Sequence, residues 1–153
     1  MRPVARAALV AAVTVAADQA VKALVRSTIE RGEEVDLILG IKFVNVRNSG
    51  IAFGMFSGGG VLLVIFAVVA LAALLVFFFT HRERPLVWLP TGLLIGGAAG
   101  NLIDRVRESG VTDFIDLPAW PAFNVADMAI TFGVLTLLYV LEGAPRHGAR
   151  RRA

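Results

Sequence analysis

The sequence predicts an all-α membrane protein: four transmembrane helices in a single domain, with a small β-hairpin in the longest connecting loop. Three observations lead there. Of 153 residues, 57% are hydrophobic and only 18% charged, with a mean hydropathy of +0.74; a soluble domain is about 45–50% apolar and about 25% charged. Residues 61–79 and 86–103 contain no charged side chain, and roughly 20 mostly apolar residues in a helix cross a bilayer core. The acids that do enter apolar segments, Asp18, Asp104 and Asp127, gather at corresponding ends of their helices.

The first span covers residues 7–25 and carries Asp18 and Lys22 in its last two turns. Arg2 and Arg6 before the apolar run at 7–17 also fit a cleavable signal peptide, and pattern alone leaves both readings open. Spans two and three are the uncharged segments. The fourth, 124–141, holds one charge, Asp127, near its start. Between spans one and two, residues 26–60 place Gly40 between two short apolar runs, the pattern of a hairpin. An amphiphilic stretch at 51–56 and a glycine run at 58–60 follow, and a loop this apolar is expected to rest on the membrane surface.

Orientation follows from Lys and Arg in the short flanks. Residues 1–6, 80–85 and 142–153 hold eight arginines in 24 residues; 26–60 and 104–123 hold six Lys or Arg in 55. Both termini are therefore expected in the cytoplasm, which explains the net charge of +3 without nucleic acid. No basic stripe with interleaved aromatics supports nucleic-acid binding. There is no cysteine, hence no disulfide framework and no thiol nucleophile.

On this topology Asp18, Asp104 and Asp127 converge on the outer leaflet. Asn101 and Asp104 are three residues apart, as are Asn124 and Asp127, so each Asn shares a helix face with its Asp. Gly96, Gly97 and Gly100 let the third span approach a neighbour closely. Two carboxylates sharing a site suit acid–base hydrolysis, because like charges at close range keep one member protonated. Each acid also has a structural reading: Asp18 paired with Lys22, Asp104 with Arg105, Asp127 as a first-turn helix acid. Their joint placement on one leaflet favours a site, since ionisable residues inside a membrane mark function. His81 and His147 fall on the cytoplasmic side, so neither a His-assisted serine site nor a zinc site is assembled. A proton-coupled transporter is the alternative, but the inner-side acids are only Glu83 and Glu142, both at helix ends.

Asp18-Gln19-Ala20-Val21-Lys22, Asn48-Ser49-Gly50-Ile51-Ala52-Phe53, the block from Gly96 to Arg105, and Phe123-Asn124-Val125-Ala126-Asp127 stand in that order along the chain. They resemble the D-Q-x-x-K, N-x-G-x-A-F, G-G-A-x-G-N-x-x-D-R and F-N-x-A-D elements of lipoprotein signal peptidases (signal peptidase II). The first element argues that span one is retained. The resemblance implies a four-helix enzyme of the bacterial inner membrane with an extracytoplasmic β-rich cradle. It implies an aspartic dyad near the outer leaflet that cuts diacylglyceryl-modified prolipoproteins before the lipidated cysteine. By motif position the dyad falls on Asp104 and Asp127. Asp18, Lys22, Asn48, Gly50, Asn101, Arg105, Asn124 and Ala126 fall on supporting or substrate-contacting positions, with Phe53 also framing the approach. No metal or cofactor is expected, membrane lipid is the surrounding medium, and a monomer is expected to suffice.

Overall fold

The structure is a computed structural model in which residues 1–50 and 60–142 are described. The expected amphiphilic stretch at 51–56, with Phe53, and the Arg-rich tail with His147 lie outside the described residues. In chain order the elements are α1 (Pro3–Thr28), β1 (Glu34–Asp36), β2 (Lys42–Asn48), α2 (Gly60–His81), α3 (Trp88–Glu108), β3 (Val111–Leu117), β4 (Trp120–Phe123) and α4 (Val125–Glu142). Pro3 opens α1, where its missing N–H costs no helical bond. Ser109, in the left-handed conformation at φ 55°, stops α3.

Burial is inverted relative to a bundle in water. Asp18, Lys22, Thr91, Asn101, Asp104 and Asn124 are buried, while Phe66, Val69 and Val76 of α2 are exposed. An apolar exterior is stable only where the solvent is hydrocarbon, and there each polar group must find its partner inside the protein. α1, α2 and α4 are long and apolar enough to cross a membrane, α2 reaching a mean hydropathy of 3.3. α3 has comparable length at 21 residues, but its last two turns carry Asp104, Arg105, Arg107 and Glu108.

α3 is the central helix and packs against α1, α2 and α4. Its glycines permit this. A Cβ on Gly96 would lie 2.6 Å from the Thr14 Cβ of α1, and one on Gly97 would lie 2.5 Å from the Ala126 carbonyl oxygen of α4. α1 is thus built into the body of the protein.

The strands form one antiparallel sheet in the order β1-β2-β3-β4. It caps the end of the bundle where α1 and α3 finish and α2 and α4 begin. The β1–β2 hairpin expected around Gly40 turns through Leu39 and Gly40, both at positive φ (56° and 77°), closed by the Ile41 N–H donating to the Ile38 carbonyl at 3.0 Å. Positive φ at both central residues is the type I′ pattern that suits hairpin twist. β3 and β4 form a second hairpin, residues 111–123, that completes the sheet.

Candidate active site

The site begins at the start of α4. Asn124 is the residue before the helix, and its Oδ1 accepts the Asp127 N–H at 3.0 Å. Asp127 Oδ2 in turn accepts the Asn124 N–H at 3.2 Å. This reciprocal pair is a capping box with an acid at the third helical position. The N-x-x-D spacing at 124–127 is thus an N-terminal helix motif, with Asn124 just outside the helix.

The other Asp127 oxygen, Oδ1, accepts from Asn101 Nδ2 at 2.8 Å. Asn101 Oδ1 accepts from Lys22 Nζ at 3.0 Å and from Asn124 Nδ2 at 3.2 Å. A lysine ammonium only donates, so it fixes which end of the Asn101 amide faces it and turns the NH₂ toward Asp127. Lys22 also lies 2.8 Å from Asp18 and 3.1 Å from Asp104, with its side chain fully buried.

Asp113 enters from β3. Its Oδ1 accepts from Asn124 Nδ2 at 2.7 Å and its Oδ2 from Asn48 Nδ2 at 2.9 Å. Asn48 is steadied by the Gly50 N–H donating to its Oδ1 at 3.0 Å. Asn124 therefore touches both acids: its side chain donates to Asp113, its main chain to Asp127. A bulge interrupts the β2–β3 ladder between Phe43 and Val46, beside the position paired with Asp113; bulges commonly re-aim side chains next to active sites. Burial pushes the Asp113 carboxyl up to about 6, helped by the nearby Asp127 charge and opposed by the Asn48 and Asn124 hydrogen bonds.

Asp113 and Asp127 line one cleft of about 650 Å³, together with Asn48, Asn101, Arg105 and Phe132. The rest of its lining is largely apolar and includes Met128, Ile130 and Phe132. Arg105, in its lining, donates to the carbonyls of Asn101 and Gly50 at 3.4 and 3.5 Å.

Of the expected site residues, the structure gathers Asn48, Gly50, Asn101, Arg105, Asn124 and Asp127 around the cleft. Asp18, Lys22 and Ala126 lie behind it. Asp104, expected as the partner of Asp127, is not in the cleft. It is 1% exposed, and its oxygens accept from Gln19, Lys22 and the Thr112 N–H. α3 continues one turn past Asp104, and the carboxylate is held between α1 and the start of β3. Nor does it pair with Arg105. The acid that shares the cleft with Asp127 is Asp113, which sequence reasoning missed. The available signal was an acid at strand spacing between Val111 and Ile115, a face otherwise apolar.

Comparison with known proteins adds an independent line. The profile described as Signal peptidase (SPase) II matches residues 10–142. The chain is 39% identical to a lipoprotein signal peptidase of Moorella thermoacetica over 135 residues, 87% of this chain and 90% of that one. It is 37% identical to a lipoprotein signal peptidase of Halothermothrix orenii, covering 87% of this chain and 92% of that one. A bacterial membrane enzyme solved at 2.3 Å by the in meso method superposes with a TM-score of 0.85 at 30% identity, covering 96% of this chain and 94% of that one. A second, solved at 1.9 Å, gives a TM-score of 0.81 at 32% identity, covering 93% and 94%.

Proposed function

The chain belongs to the signal peptidase II family, and on that premise we propose that it is an aspartic endopeptidase. Its substrates are diacylglyceryl-modified prolipoproteins, cut before the lipidated cysteine, and its cutting pair is Asp113 and Asp127. One observation carries the pair: Asn124 bonds both carboxylates, which line the same cleft.

Neighbouring carboxylates share a proton more cheaply than they both ionise. Asp113, whose burial favours the neutral form, is the proton-bearing member. Asp127 takes a proton from the attacking water, while Asp113 hydrogen-bonds the scissile carbonyl oxygen. As the tetrahedral intermediate collapses, the proton held by Asp127 passes to the departing amine. Asn101 and Asn48 each fix one carboxylate from behind, so neither rotates away during the transfer.

α3 serves as the fourth span, the sheet lies outside the cytoplasm, and both termini lie within it. The cleft then sits at outer-leaflet depth, its apolar lining available to the signal peptide and acyl chains. Among the described residues, the acids at the opposite end of the bundle are Glu83 and Glu142, too few for a proton path across it.

Cleavage is expected to require the substrate's lipid, since burying acyl chains contributes about 0.8 kcal/mol per CH₂. Purified protein offered matched precursors with and without the diacylglyceryl group tests this. An unlipidated precursor cut equally fast would remove the substrate assignment.

A further inference from the structure

We propose that the buried Asp18–Lys22–Asp104 cluster is a positioning device that sets the spacing of the two cutting carboxylates, by holding the main chain one residue before each. It rests on the assignment of Asp113 and Asp127 as the pair.

The geometry is matched on the two sides. Asp18 Oδ1 accepts the N–H of Ala126 at 3.0 Å, and Ala126 immediately precedes Asp127. Asp104 Oδ2 accepts the N–H of Thr112 at 3.1 Å, and Thr112 immediately precedes Asp113. Ala126 lies in the first turn of α4, where main-chain N–H groups have no helical partner and depend on outside acceptors. On the β3 side, Arg26 of α1 adds a second hold, donating to the Thr112 hydroxyl at 3.1 Å.

Two further groups tie the acids into one unit. Lys22 Nζ contacts Asp18, Asp104 and Asn101 at 2.8, 3.1 and 3.0 Å, one acceptor for each of its three protons. Gln19 Nε2 bridges Asp18 Oδ2 at 3.2 Å and Asp104 Oδ1 at 2.9 Å. Through Asn101 the same lysine also orients the amide that holds Asp127. A helix from one part of the chain and a strand from another are thereby referred to a single point on α1.

A buried ion cluster is a poor source of stability, because desolvation offsets most of the attraction. A purely structural role therefore explains little of why two acids and a lysine are enclosed here. Holding two main-chain segments at fixed separation does explain it, since a misplacement of about 1 Å in a catalytic group costs about 100-fold in rate.

The test uses the full chain in detergent or bilayer, with Asp18→Asn, Asp18→Leu, Asp104→Asn and Asp104→Leu. The Asn variants retain an oxygen that can accept the main-chain N–H; the Leu variants do not. The expected result is a kcat reduced by about 100-fold in each Leu variant, less in each Asn variant, with KM changed no more than about threefold. Amide hydrogen exchange gives a readout independent of cleavage. Exchange at Thr112 should accelerate selectively in Asp104→Leu, and exchange at Ala126 selectively in Asp18→Leu. Full kcat in folded Leu variants, or exchange at these amides unchanged, overturns the proposal. So does an Asp104→Asn variant as inactive as Asp113→Asn, because Asp104 would then act directly. If the wild type cut no lipidated precursor, the peptidase reading would fall, and the exchange result would still decide the positioning role.

Discussion

Asp113 stands in a strand between Val111 and Ile115 and lines a cleft whose walls are largely apolar. Burial of this kind raises a carboxyl toward neutrality, and here it brings the group to about 6. If the protonated form is the working one, kcat/KM holds at low pH until Asp127 also takes a proton, and falls as pH rises through about 6 in the free enzyme. A pH profile of cleavage checks the sign; a rate still rising well above that value would reverse the roles of the two acids. The sequence made Asp127, Asn124 and Asn101 legible because helix-end polar residues in apolar segments stand out; Asn48, at the end of β2, was legible only through its motif. The sequence pointed to Asp104, which does not line the cleft, because the two N-x-x-D spacings look alike. Only in three dimensions do they differ: one is a helix cap, the other lies within a helix, and the acid that shares the cleft with Asp127 comes from a strand.

At the scale of elements, the placement of α4 against α3 decides where Asp127 lies. The two helices approach closely at Gly97, where an added Cβ would meet the Ala126 carbonyl oxygen at 2.5 Å. Gly97→Leu is expected to force the helices apart, costing about 1–3 kcal/mol, the usual range for overpacking. Thermal unfolding in detergent should show the loss, with cleavage falling further than stability alone accounts for. A variant with unchanged unfolding would mean that α3 and α4 do not meet as described. The apolar helices and the β1–β2 hairpin could be read from length, charge and the Gly40 turn. The β3–β4 hairpin could not: β4 has four residues and contains Pro121, a residue usually excluded from strand interiors. What holds it is pairing with β3, a tertiary contact without a local signature.

For the whole molecule, inverted burial and an apolar exterior define a membrane protein, while the sheet at one end defines a face. The arginine distribution along the chain leads us to expect that face outside. Cysteine labelling at Glu34→Cys in β1 and at Arg84→Cys between α2 and α3 should modify the first, and not the second, from outside intact cells. Labelling of Arg84→Cys from outside would invert the topology and leave the cleft on the wrong side for exported precursors. We propose that Asp113 and Asp127 together cut the peptide bond. This is tested most directly by single-turnover cleavage of a diacylglyceryl prolipoprotein by Asp113→Asn, Asp127→Asn and Asp104→Asn, each confirmed as folded and membrane-inserted. The expected result is background rates for the first two and a reduced but measurable rate for the third. Near-normal cleavage by Asp113→Asn alongside a silent Asp104→Asn would contradict it.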